Sequence, residues 1–207
     1  MVANKFFKLF ALASVLIASS GYSQTIENLY LEVDIGQSDL DMSINDFSLL
    51  NDGSLSNGNL DTRTFAYNIG AGYFLNDYFS IEVGYVNLGE PDASAISDGS
   101  GILWSAGGIR LASETTGYTI ALEGSYPLGD SIEITGKLGH LGWDSDITLS
   151  NAGTTFTVSE DGSDPFFGFG LLYKNGNFDY VLDFTGYEYD LDDTNISFVS
   201  VGARYHF

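Results

Sequence analysis

Apolar and polar residues alternate one by one along most of this chain, and that period decides what it can fold into. Between Thr64 and Tyr73, the set Phe65, Tyr67, Ile69, Ala71 and Tyr73 interleaves with Thr64, Ala66, Asn68, Gly70 and Gly72. A period of two describes a strand with one apolar and one polar face, whereas a helix needs apolar residues three and four apart. The last seven residues obey the same rule: Val201, Ala203, Tyr205 and Phe207 alternate with Gly202, Arg204 and His206.

The pattern predicts eight strands. The first sets Leu29, Leu31, Val33 and Ile35 against Tyr30, Glu32, Asp34 and Gly36, and the run from Thr64 is the second. The third carries Phe79, Ile81, Val83 and Tyr85 against Ser80, Glu82 and Gly84. In the fourth, Tyr118, Ile120 and Leu122 oppose Thr119, Ala121 and Glu123. The fifth has Ile132, Ile134 and Leu138 against Glu133, Thr135 and Lys137; the sixth has Phe167, Phe169, Leu171 and Tyr173 against Gly168 and Gly170. Phe178, Tyr180, Leu182 and Phe184 oppose Asp179, Val181, Asp183 and Thr185 in the seventh, and the eighth ends at Phe207. The 25 glycines, 3 prolines and 13 tyrosines agree, because glycine is costly in helices and tyrosine favours strands.

Connections alternate in length. Asn76-Asp77, 128–131 and 174–177 are tight turns, while 37–61, 89–116, 143–164 and 186–195 are long and polar. Short turns on one side and long loops on the other, with both termini on the short side, are what a transmembrane antiparallel up-and-down β-barrel of eight strands requires. The segment 102–111 is read as an outer part of the second hairpin, with a ten-strand count as the alternative. A soluble ligand barrel would carry a lysine-rich outer face, and this chain has none. Tyr73, Tyr78, Tyr85, Tyr118, Tyr126, Tyr173, Tyr180, Tyr187 and Tyr205 fall near strand ends, as an interfacial girdle would.

Lys5 and Lys8, then ten apolar-rich residues, then Ser19, Ser20, Gly21 and Ser23 have the organisation of a secretory signal peptide. A membrane anchor needs about 20 apolar residues. Residues 1–23 are therefore expected to be the signal and 24–207 the barrel, with cleavage after Ser20 as the alternative; no further domain is expected after Phe207. The absence of cysteine excludes disulfides and thiolate metal sites. Beyond Lys5 and Lys8 only five basic residues remain against 28 acidic ones, which excludes nucleic acid as a partner.

Three stretches carry a family resemblance: Gly72 through Gly89, with Asn76, Tyr78, Glu82, Gly84 and Tyr85; Tyr126-Pro127 leading to Lys137-Leu138-Gly139; and Val201 to Phe207. Together they resemble the OmpA-like transmembrane domain of small outer-membrane proteins, over most of residues 28–207. The resemblance implies a polar interior plugged by charged side chains, a mechanical or surface role, and at most a narrow pore. Glu82, Lys137 and Asp183 sit where that family has luminal charges of the same sign. Glu123 falls where a luminal lysine is usual, and Leu172 and Val181 replace charged members, so the family's salt-bridge gate does not carry over intact. Tyr205 and Phe207 would form the terminal signal recognised by the outer-membrane assembly machinery.

An eight-stranded interior is just wide enough for its own side chains. Glu32, Asp34, Glu82, Glu123, Glu133 and Asp183 therefore need Lys137, Arg204, hydroxyls or water in a packed polar core. Catalysis finds little support: His140 and His206 lie far apart in height, and only a pairing of His140 with Ser145 and Asp144 at the outer rim is conceivable. The long connections hold most acids, without a complete Ca²⁺-loop spacing. The expectation is a non-catalytic integral protein of a Gram-negative outer membrane, without cofactor or metal, in contact with outer-membrane lipids and lipopolysaccharide. An extracellular partner would meet its acidic loops. A narrow cation-preferring pore is the alternative and a lipid A-modifying barrel enzyme the third class.

Overall fold

A computed structural model describes residues 28–42, 51–189 and 194–207; the expected signal segment and the loop acids Asp46, Asp190, Asp192 and Asp193 lie outside the described residues. In chain order the strands are β1 (Leu29–Leu40), β2 (Leu55–Asp61), β3 (Arg63–Asn76), β4 (Phe79–Asn87), β5 (Asp92–Ser97), β6 (Gly107–Pro127), β7 (Ile132–Asn151), β8 (Thr154–Asn175), β9 (Phe178–Tyr189) and β10 (Thr194–His206). Eight of them close a ring. Around it β1 pairs with β3, then β4, β6, β7, β8, β9 and β10 follow, each antiparallel to its neighbour, and β10 returns to β1. Closure lets the backbone donors and acceptors of the ring pair without an edge, which is the condition for spanning lipid with strands.

Strands β2 and β5 form inside two of the connections expected to be long and polar, 37–61 and 89–116. β5 pairs with the far end of β6, and β2 pairs with β5, so both extend the sheet beside the ring. Their sequences hid them: Leu55–Asp61 has only two apolar residues, and its ladder slips between Ser56 and Asn59, where Asn57 takes a positive φ of 52°. The segment expected to belong to the second hairpin does so, for Gly107 to Leu111 begin β6.

Strand length sets the shape. β6, β7 and β8 run for 21, 20 and 22 residues, whereas about 9–11 residues suffice to cross a bilayer. Roughly half of each stands beyond the membrane on the side opposite the tight turns. With β2 and β5 these outer halves make a five-stranded extension, β2-β5-β6-β7-β8.

The pleat divides the ring as the alternation requires. Leu31, Val33, Ile35, Ile69, Ile81, Val83, Ile120, Leu122, Leu138, Phe169, Leu171, Leu182, Val199 and Val201 all face outward and are exposed. Tyr73, Tyr78, Tyr126, Tyr173, Tyr180 and Tyr205, with Phe178 and Phe207, surround the end that holds the tight turns and both strand termini. Tyr67, Tyr85 and Tyr118 form an outer belt, with successive ring centroids 6.4 and 5.5 Å apart. Tyr187 is not in the girdle: its parity with Asp183 and Thr185 turns it into the lumen, where it is buried.

Replacing Leu182 by Arg is expected to lower stability by about 2–4 kcal/mol, the cost of a cation on the lipid face near mid-membrane. Ile102→Arg, at a nearly fully exposed position outside the ring, should change it little. Urea titrations of folding into lipid vesicles will distinguish the two variants.

Candidate functional site

The lumen is built from alternate residues of the ring strands, and it has two layers. Nearest the tight turns is an ionic layer. β1 supplies Tyr30, Glu32 and Asp34; β4 supplies Ser80 and Glu82; β6 Glu123; β7 Lys137; β9 Asp179 and Asp183; and β10 Arg204. Every one of these side chains is buried.

Glu32 joins the two cations of this layer. Its Oε1 accepts from Lys137 Nζ at 2.9 Å and its Oε2 from Arg204 Nε at 2.6 Å. Arg204 then grips Glu123 with both terminal nitrogens, each at 2.8 Å, in the planar fork that suits guanidinium and carboxylate. Lys137 Nζ also lies 3.1 Å from Asp183 Oδ2 and 3.5 Å from both Glu82 Oε1 and Glu123 Oε2. Tyr30 completes the layer from below: its hydroxyl donates to Glu82 Oε2 at 3.0 Å, and its ring lies 4.1 Å beneath the Arg204 guanidinium.

Above this sits an apolar layer that the expectation of a wholly polar core did not include. Ala66, Val86, Leu88, Ala121, Leu141, Trp143, Phe166, Tyr187, Ile196 and Phe198 form one buried cluster. Phe166 and Tyr187 pack with ring centroids 5.3 Å apart, and the Trp143 indole donates to Asp164. The signal was present in the sequence, since Leu141 and Trp143 continue the inward parity of Lys137. It was obscured because these residues lie beyond the stretch in which polar and apolar faces separate cleanly.

All five luminal charges expected from sequence, Glu82, Glu123, Lys137, Asp183 and Arg204, meet in the ionic layer. Glu123 is gripped by Arg204 and lies near Lys137, so the two cations share the role of counter-charge that the packed polar core asked of them. Glu133 is not part of the layer, because it pairs with Lys174 at the rim near the turns. Leu172 and Val181 face inward and are buried. Tyr205 and Phe207 stand on the outside of the closing strand, their rings edge to face at 5.1 Å.

The conceivable histidine site does not form. His140 is exposed on the outer face, 3.5 Å from Ser163, while Ser145 is turned inside against Ser113 and Thr115. Residues 140 and 145 differ in parity along one strand, so they cannot share a face. His206 pairs with Asp179 and stacks on Phe74 with rings 5.5 Å apart and 7° from parallel.

Outside the membrane, charge is one-sided. Arg63 pairs with Asp39, and Arg110 with Glu90 and Asp92. With Lys137, Lys174 and Arg204 engaged as above, every Lys and Arg among the described residues is paired. The sheet extension therefore keeps an excess of acid. Along β7 and β8, Asp144 stands directly opposite Asp161, and Asp146 lies opposite Glu114 on β6. Asp52 ties two outer connections, accepting from the Ser54 hydroxyl at 2.6 Å and the Leu103 amide at 2.7 Å. The Ser54 hydroxyl, with the Leu103 amide next, lowers the Asp52 carboxyl from 3.8 to about 2. Its contribution is thus complete above the unfolded value and lost only as pH falls through about 2.

The model of one protein family, the OmpA-like transmembrane domain, matches residues 24–207. No curated protein matches the sequence. Among solved structures, the attachment invasion locus protein Ail of Yersinia pestis is 16% identical, covering 87% of this chain and 99% of its own, with a TM-score of 0.52. Neisserial surface protein A, NspA, is 14% identical over 86% of this chain and 97% of its own, with a TM-score of 0.52. At these identities the likeness is one of fold.

Removing the Arg204 charge should be severe, because Glu32 and Glu123 would be left buried beside a single lysine. Arg204→Met is expected to cost about 3–5 kcal/mol, the range for breaking a buried ion pair from one side. Arg204→Lys, which keeps charge but not the fork, should fall between it and the parent. Equilibrium refolding in urea measures both.

Proposed function

Since the chain belongs to the OmpA-like transmembrane domain family, we propose that it is a closed, non-catalytic outer-membrane barrel whose work is done by the sheet it presents outside. The supporting observation is the apolar layer stacked on the ionic one. An ion traversing the lumen would have to shed water among Leu141, Trp143, Phe166, Ile196 and Phe198, and an apolar constriction closes a pore by excluding water. That favours a plug over a cation-preferring pore. The separation of His140 from Ser145 and the absorption of His206 into a pair with Asp179 favour a structural role over lipid modification.

On the outside, β8 pairs with β9 only from Phe166 to Asn175. Among the described residues no strand covers the other edge of 154–165, which bears Glu160, Asp161 and Asp164. An open strand edge offers backbone donors and acceptors to an extended segment of another chain. The acidic surroundings favour a basic one. An N-terminal signal peptide and a Gram-negative outer membrane complete this reading.

Planar-bilayer recordings test closure. The parent protein is expected to show no steps, and the double variant Trp143→Ala, Phe198→Ala to show small ones. Steps of equal size in parent and variant would refute the apolar seal. Lipid A from cells with and without the protein should have the same mass spectrum, and a lost or added acyl chain would overturn the non-catalytic reading.

A further inference from the structure

The outer extension has two unlike faces, although no lipid sorts them. One row of the parity that lines the lumen lower down crosses all five of its strands: Leu60, Ala93, Leu111, Leu149 and Phe156 stand opposite one another in turn. The next row of that parity toward the membrane carries Ile147 and Val158. Rows of the other parity are polar or acidic, with Glu114, Asp146 and Ser159 in one and Thr116, Asp144 and Asp161 in the next. Apolar surface gathered on one face of a sheet outside the membrane marks a place for a partner.

The row ends on the open edge of β8, where it is least covered. Thr154 to Asp161 are all exposed, Phe156 to 64% and Val158 to 40%. Nearer the membrane the same edge turns acidic at Glu160 and Asp161, and no Lys or Arg among the described residues pairs with either. Pleating sends Phe156, Val158 and Glu160 to one face and Asp161 to the other. From its tip toward the membrane, the edge therefore presents two apolar side chains on one face and then acids on both.

We infer that this edge takes a β-segment of another protein that carries two apolar residues two positions apart and, at one end, a cluster of lysine or arginine. This sequence rule rests on the strand addition proposed above. Side chains of an added strand meet those of its neighbour directly across the ladder. The apolar pair lies beside Phe156 and Val158, and the basic residues beside Glu160 and Asp161. The order of the two halves along the segment sets whether it runs parallel or antiparallel to β8. A second copy of this chain fits poorly: two barrels in one membrane hold the edge at the same height, so acid would meet acid.

The test measures the fluorescence anisotropy of labelled synthetic peptides with the full chain folded in lipid nanodiscs. Two probes share one composition of lysine, valine and threonine, with the lysines together at one end. Their two valines sit two positions apart in the first and adjacent in the second, which turns one valine to the other face. Both are made in either chain direction. In the better direction the first should bind about fivefold tighter than the second, the upper range for one cross-strand contact. Phe156→Ser should erase that preference while leaving binding through the acids. Asp161→Asn should weaken both peptides alike, and so should raised salt. If the Phe156 variant does not reach the folded, heat-modifiable form, Val158→Thr replaces it. Methylating one alternate set of peptide amide nitrogens should abolish binding and methylating the other should spare it, because only every second amide of an added strand faces its neighbour. Equal affinity for the two valine spacings would overturn the sequence rule and leave strand addition standing. Binding indifferent to amide methylation, or no binding by any probe, would overturn strand addition itself and the rule with it.

Discussion

Closing eight strands on themselves in lipid leaves a lumen too narrow for bulk water, and the rest of this structure follows from that restriction. The backbone must close because an unpaired donor or acceptor in hydrocarbon costs several kcal/mol. Once closed, the ring sends every second side chain into a space only wide enough to be filled by them. Whatever charge enters must be answered by another side chain. The outward set has the opposite problem and the simpler solution, which is to be apolar.

The two luminal layers solve the filling problem in different ways. Near the turns, Lys137 and Arg204 draw the carboxylates of four strands, β1, β4, β6 and β9, toward one centre. Paired and bidentate contacts are what make such burial tolerable, since desolvation otherwise exceeds the Coulombic gain. Farther out, Trp143, Phe166, Tyr187 and Phe198 fill the lumen by volume and need little pairing, with the Trp143 indole finding Asp164. The division explains why a chain with so few cations can afford so many inward acids only over a short height of the barrel.

Most of the ring was legible because a period of two leaves little freedom: Leu31, Ile69, Ile81, Leu122 and Leu182 had to share the lipid face once one of them did. The luminal charges were legible for the same reason, as Glu82, Glu123, Lys137, Asp183 and Arg204 have the opposite parity. Parity says which face a residue takes but not how high on the barrel it stands, nor which of several acids a cation selects. The bidentate grip of Arg204 on Glu123 and the bridging position of Glu32 depend on strand stagger, which no local pattern records. Tyr187 shows the complementary failure, for tyrosine suits an interface and an interior equally. β2 and β5 were hidden because an extension surrounded by water has no lipid to enforce alternation.

Glu32 and Arg204 are 172 positions apart, and they meet only where the first and last strands join. The β1–β10 register sets Glu32 directly opposite Arg204. A slip of one residue would turn every side chain of one of these strands to the wrong face. It would place Glu32 and Asp34, or Arg204 and His206, against lipid while drawing Val33 or Val201 inside. The ionic layer contributes little net stability over an apolar filling of equal volume, but it makes the wrong closure far worse than the right one. Its energetic role is thus discrimination between registers at the last pairing of the ring, where loop-closure entropy is largest and local sequence gives the least guidance.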